Sequence, residues 1–290
     1  MVNKKSQVFL YSITFLAYSL LLAGKDLVFK HLIRSGVSAP IILQISGITC
    51  LIFGLFINSW QKLKLRIQSP KNQIFRFIIN GFFWITLAQA FHQLNATSIA
   101  LVSKAYIPLL ILFGPFLGAT YLLADLILAF LALASIAFFV FFSHDSSESL
   151  IGFAYLFCGI GLVMGEYILL RTSTRNESPL IVIAAPALAM IIFGIVSDLG
   201  QTASIYNLPL NSICLSILCG LLIYGVYYAS IFRYRILPLG LAEFPALIAA
   251  LIILPAEYFF HNWIPSPLYL YNIGFMFLTL GAILWRKVRS

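Results

Sequence analysis

Charge is scarce in this sequence. Of its 290 residues only 9% are charged, and only nine are acidic, where a soluble domain carries roughly 25% charged residues. A chain so poor in charge cannot cover a water-facing surface, which excludes an ordinary soluble globular protein. Cysteine is equally sparse. Cys50, Cys158, Cys214 and Cys219 fall inside apolar runs without CxxC or Cys/His spacing, so they read as small packing residues rather than a disulfide or zinc framework. No GxGxxG, Walker A or HExxH pattern occurs, and no Ser/His/Asp set is recognisable. ATP hydrolysis, a metal centre and a cofactor are therefore not expected, and the chain does not read as an enzyme.

What the sequence has in excess is apolar surface: 61% hydrophobic residues and a mean hydropathy of +1.00. Lipid is the solvent that accepts it. The net charge of +9 would suggest nucleic acid in a soluble chain, but here the bases stand between apolar blocks and read as membrane orientation signals. The opening segment, basic and then apolar, mimics a signal peptide; without a clear A-x-A site it is expected to stay as a first span.

A membrane-crossing helix needs about 20 mainly apolar residues. Such blocks lie near 8–33, 38–58, 73–92, 97–117, 120–142, 150–171, 179–199, 211–233, 237–257 and 268–286, the least distinct division being Gly118–Tyr121. Under a ten-span reading, fourteen of the 18 basic residues collect on one side: Lys4, Lys5, Lys62, Lys64, Arg66, Lys71, Arg76, Arg171, Arg175, Arg233, Arg235, Arg286, Lys287 and Arg289. The other side has Lys30 and Arg34 with Asp145, Glu148, Asp198 and Glu257. The positive-inside rule places both termini in the cytoplasm.

The blocks repeat. Gly24-Lys25-Asp26 with Lys30 matches Gly165-Glu166-Tyr167 with Arg171; Phe53-Gly54 matches Phe193-Gly194; Pro108 matches Pro245. Two units of five spans, 1–145 and 146–290, follow. Five is odd, so the second unit enters the membrane inverted. The expected fold is an all-α polytopic membrane protein of ten transmembrane helices in two inverted five-helix repeats, a plan common among secondary transporters.

The duplicated plan, Pro245 followed by Glu257 in "PALIAALIILPAE" and the final span "GFMFLTLGAILWRK" together resemble the ten-helix, EamA-like branch of the drug/metabolite transporter superfamily. Two positions depart from it: Thr120 stands where Glu257 has its repeat partner, and Gln44 where a second-span arginine is common. The resemblance implies alternating access, metabolite export and a central cavity flanked by the fourth and ninth helices. A bacterial cytoplasmic (inner) membrane is the expected location.

Ionisable groups within spans cost about 2.5–3.5 kcal/mol each on insertion scales. They are Lys25 and Asp26, Lys104, Asp125, Glu166 and Glu243. Lys104 and Glu243 each precede a repeat proline, which frees a carbonyl one turn earlier. They read either as cationic and anionic contacts for a zwitterionic or polar substrate, or as an ion pair that orients helices. Asp26 and Glu166 are the expected proton-coupling groups. Lys25 and Asp26, adjacent and so about 100° apart on a helix, are not expected to face one cavity squarely. Trp84, Gln89, Tyr227 and Tyr228 are expected on the cavity wall, with Tyr224, though aromatic rings also pack on lipid. His31, His92, His144 and His261 fall near the outer face. The functional expectation is a secondary transporter for a small polar or amphipathic metabolite, coupled to a proton or ion; a lipid or lipid-linked-sugar flippase is the alternative.

Overall fold

The computed structural model describes residues 4–62, 65, 67–94, 96–142, 149–198, 208–236, 242–261 and 266–289. Lys64, Arg66, His144, Asp145 and Glu148 lie outside the described residues, as do the side chains of Lys4, Lys5, Arg175, Arg235, Glu257, His261 and Arg289.

Among the described residues the secondary structure is helical, without strands. The helices are α1 (Lys4–Arg34), α2 (Ala39–Trp60), α3 (Pro70–Gln93), α4 (Ala96–Val102), α5 (Tyr106–Leu112), α6 (Leu123–Phe142), α7 (Leu150–Asn176), α8 (Pro179–Asp198), α9 (Leu210–Ile236), α10 (Pro245–His261) and α11 (Pro267–Arg289). Seven of them (α2, α3, α6, α7, α8, α9 and α11) are long and apolar enough to cross a membrane. Large apolar side chains stay exposed along them, such as Ile52, Phe130, Phe141 and Leu278. A soluble monomer does not carry that much uncovered apolar surface; the pattern is that of a polytopic membrane protein.

Local chemistry sets the helix ends. Pro70, Pro179, Pro245 and Pro267 each open a helix, where a missing N–H is harmless and a fixed φ already suits the turn. After α1 the chain reverses through Gly36 at φ +83°, with the Val37 amide donating to the Leu32 carbonyl at 3.1 Å. The block expected as 97–117 is a broken rod. It changes to a 3-10 turn at Ser103–Ala105, one turn before Pro108, as a proline that removes a helix hydrogen bond requires. The indistinct division at Gly118 is a tight turn with φ +75°. Glu243 does not sit inside a continuous helix: it lies just before α10, its carbonyl accepting from the Ala246 amide at 2.9 Å, because Pro245 starts the helix.

In packing, α2 lies against α8, α3 against α7 and α1 against α9. Further contacts join α2 to α9, α3 to α8, α1 to α10, and α6 to α11. Glycines set the closest crossings. A Cβ on Gly47 would stand 2.8 Å from the Ala187 carbonyl, and one on Gly194 would stand 2.9 Å from the Pro40 carbonyl. Gly220 presses on the Ser46 backbone, and Gly81 on the Phe193 ring. Gly161 plays no such part, since a Cβ there meets nothing within 4 Å.

Candidate functional site

A partly enclosed cavity lies between α1, α3, α4 and α7, with an empty volume of about 770 Å³ counting its mouth. Its walls come from the Arg34 half of α1 (Leu22, Lys25, Asp26, Lys30), the Gln93 half of α3 (Phe83, Leu87, Phe91) and the first half of α7 (Leu156, Ile160, Val163). Ser103, Lys104 and Tyr106 enter from the broken rod. A second, smaller chamber adjoins it and shares Leu22, Lys25, Phe83, Val163 and Tyr167. Trp84, Asn80, Glu166 and Tyr227 complete that chamber.

Lys104 and Asp26 therefore both face the main cavity, and so does Lys25. Lys25 Nζ binds Asp26 Oδ1 at 2.7 Å. The expectation that these neighbours would diverge is corrected: residues 100° apart flank a cavity as wide as this one, and the long lysine stem folds back onto the carboxylate. Lys104 is 4% exposed and has no ion-pair partner within 4 Å among the described residues.

Glu243 does not pair with Lys104. Its fully buried carboxylate accepts from Arg233 Nη2 at 3.0 Å, from Tyr106 Oη at 2.8 Å, from Tyr18 Oη at 3.2 Å and from Tyr234 Oη. The Arg233 guanidinium stacks 3.3 Å from the Tyr18 ring centroid and also donates to the Ala242 carbonyl and to Ser230 Oγ. A buried carboxylate is tolerated only when paired and hydrogen-bonded, and here its acceptor capacity is filled by the protein itself.

Glu166 is held in the same manner. Arg76 donates to it from Nη2 at 2.7 Å and from Nε at 3.1 and 3.2 Å. Arg76 Nη1 reaches Gln73 Oε1 at 3.0 Å, and Gln73 Nε2 donates to Glu177, which also accepts from the Ser69 amide at 3.0 Å. On the other side Asn80 Nδ2 donates to the Arg76 carbonyl at 2.8 Å, and Tyr227 Oη donates to Asn80 Oδ1 at 2.7 Å. A polar chain thus runs from the second chamber to the connection between α7 and α8. Asp125 at the start of α6 pairs with Arg286 near the end of α11 at 2.6 Å.

These networks extend from the chamber walls, where Tyr106, Asn80, Glu166 and Tyr227 stand, toward the other end of the bundle. They draw on the Pro70 end of α3, the Asn176 end of α7 and the Ile236 end of α9, whereas the cavity uses the other ends of α3 and α7. They also join the two sequence halves: Ser69, Gln73, Arg76, Asn80, Tyr18 and Tyr106 bond to Glu166, Glu177, Tyr227 and Glu243.

Of the aromatic and amide residues expected on the wall, Trp84 and Tyr227 line the second chamber. Gln89 does not: it stands on the exposed face of α3. Tyr228 also faces elsewhere, stacked on Tyr224 at 5.8 Å above a small crevice beside Gly54 and Leu180. Sequence reasoning missed Arg76 and Arg233, counted above as flanking bases, and the tyrosines 18, 106 and 234. The only local signal was that each arginine falls within a turn of the end of an apolar block.

No family model and no curated protein matches the chain. Among solved structures 28 chains are similar. One of them, described as "Crystal structure of protein", superposes with a TM-score of 0.67 over 94% of this chain and 99% of its own, at 14% identity. At that identity the likeness shows the fold alone.

Proposed function

We propose that the chain is a secondary active transporter working by alternating access, captured with its cavity closed at one end. The observation that carries this reading is the polar asymmetry of the bundle. Charged networks bridge the two halves toward one end, while the other end holds a partly enclosed cavity lined by Lys25, Asp26 and Lys104. Opening the bridged end requires the Arg76–Glu166 and Tyr106–Glu243 bonds to part, and a carrier must make and break such bonds once per cycle.

An inverted repeat of two five-helix units is part of the proposal. Exchanging α1 with α7, α2 with α8, α3 with α9, α4–α5 with α10 and α6 with α11 maps the packing onto itself. The pairs α2·α8 and α6·α11 return to themselves, α3·α7 becomes α1·α9, and α2·α9 becomes α3·α8. Close contacts follow suit at an offset of 140. Gly47 meets Ala187, its own repeat partner; Gly54 meets Leu180 as Gly194 meets Pro40. That exchange is what a pseudo-twofold axis through the α2–α8 crossing produces. It supports ten crossings, with α1, the broken α4–α5 rod and α10 joining the seven helices named above, and fits membership of the drug/metabolite transporter superfamily.

Removing the buried Arg76 and Arg233 from the fourteen bases leaves 14 − 2 = 12 on the bridged side. The positive-inside rule makes that side cytoplasmic, so the cavity faces outward. In this arrangement Asp26, neutralised by Lys25, is the proposed proton-linked group: protonating it would release the Lys25 ammonium to the cavity.

A flippase needs an apolar groove with a charged foothold for a headgroup. The shallow groove beside Phe138, Leu268 and Phe275 has no charged lining residue among the described residues, so the transporter reading is preferred. Uptake of labelled organic solutes into proteoliposomes, without ATP, tests it. Saturable uptake of at least one solute is expected; a folded protein that moves none of a broad panel, while scrambling labelled lipid, would overturn it.

A further inference from the structure

We infer that the cavity accepts an organic anion: a carboxylate or phosphate set against Lys104, with an apolar body extending into the second chamber toward Trp84. The inference rests on the cavity being the substrate site, and names the class of substrate.

Among the described residues four charged ones line the main cavity, Lys25, Lys30, Lys104 and Asp26, of which Lys30 already interacts within the protein. Asp26 is already engaged by Lys25 at 2.7 Å. Glu166 borders the second chamber, but three hydrogen bonds from Arg76 occupy it. Glu243, the carboxylate best placed by sequence to receive an ammonium group, is enclosed by Arg233 and three tyrosines at the closed end. Among the described residues, then, the carboxylates around the site have their partners, and a cationic ligand finds no unspent counter-charge there.

The unspent groups are donors. Lys104, a largely buried side chain that lines the cavity, has no ion-pair partner among the described residues. The Trp84 indole N–H is buried and unpartnered, and the ring, 2% exposed, lines the second chamber. Buried donors left unmade are expensive, and a ligand that supplies the missing acceptors recovers that loss. Lys104 demands negative charge; Trp84 demands an acceptor oxygen or ring face. Between them run Leu22, Phe83 and Val163, common to the two chambers, which favour hydrocarbon over a hydrated sugar or a bare inorganic ion.

The test is a matched set of small probes on purified protein in nanodiscs: phenylacetate and phenyl phosphate, their neutral relative phenylacetamide, the cation phenethylamine, and inorganic phosphate alone. Binding is read by thermal stabilisation and tryptophan fluorescence. The two aromatic anions should bind at least tenfold more tightly than phenylacetamide and phosphate, and phenethylamine should not bind. K104M should abolish the anion preference and K104R retain it; W84F should weaken both anions while leaving the preference intact. K104M should unfold no earlier than wild type without ligand, since Lys104 has no ion-pair partner to lose among the described residues; W84F, which trims ring contacts with Phe29 and Phe83, is compared with wild type by its ligand-induced shift alone. Tighter binding of the amine or amide, or an unchanged preference in K104M, would overturn the inference. Stabilisation by anionic phospholipid but by neither soluble anion would also overturn it, in favour of a lipid headgroup. Anions that bind yet never cross in proteoliposomes would leave this inference standing and defeat the transporter reading. Transported cations would do the opposite.

Discussion

Arg76 and Glu166, ninety residues apart in the chain, meet through three hydrogen bonds with Nη2 only 2.7 Å from Oε1. The pair joins α3 of the first half to α7 of the second and both side chains are buried. Removing one partner of a buried pair costs on the order of 3–5 kcal/mol, whereas replacing both by apolar groups is often neutral. Glu166→Gln is therefore expected to lower the unfolding midpoint markedly, and the double change Arg76→Met with Glu166→Leu to recover most of the loss. Thermal unfolding in nanodiscs checks it; equal losses in the single and double variants would contradict the pairing.

Glu243 and Lys104 should behave differently, although the sequence presents them as a matched couple. Glu243→Gln loses the charge that Arg233 neutralises and is expected to destabilise the closed end while leaving binding of phenylacetate in place. Lys104→Met should retain stability and lose binding. Melting curves with and without the probe separate these outcomes, and coincident effects in the two variants would refute the assignment.

Steric limits at the α2–α8 crossing give a third expectation. At Gly47 a Cβ would approach the Ala187 carbonyl to 2.8 Å and Met190 Cβ to 3.0 Å, and overpacking of this kind costs about 1–3 kcal/mol. Gly47→Leu should reduce folded yield, while Gly161→Leu, on an exposed face with open space at its Cβ, should be silent. Size-exclusion profiles after membrane extraction compare the two.

The proposed orientation predicts labelling from opposite sides. A cysteine at Lys62, in the exposed turn after α2, should react with a membrane-impermeant maleimide only in inverted vesicles. One at Ser35, exposed after α1, should react in intact cells. The reverse pattern would turn the cavity to the cytoplasm.

The helical, membrane-spanning character was legible because it depends on composition over 20-residue windows, which lipid alone explains. The offset of Gly54 and Gly194 was legible for a similar reason: identity at a fixed spacing survives without knowing any contact. Partners were not. An arginine one turn inside a span end, such as Arg76 or Arg233, reads identically whether it flanks a loop or neutralises a distant glutamate. Facing was also hidden. With apolar residues all round α3 and α9, nothing in the pattern distinguishes Trp84, which lines the chamber, from Gln89, which faces out, or Tyr227 from its neighbour Tyr228.

The central claim is that the end bridged by Gln73, Arg76, Glu166 and Glu177 must open for solute to cross. Gln73 donates to Glu177 across the halves, so a cysteine pair at these two positions, with the four native cysteines replaced, allows a short thiol cross-linker to hold that end shut. The decisive measurement is counterflow of labelled phenylacetate in proteoliposomes before and after cross-linking. The account predicts uptake before, none after, and unchanged phenylacetate binding in both. Counterflow that continues at the same rate in the fully cross-linked protein would contradict it.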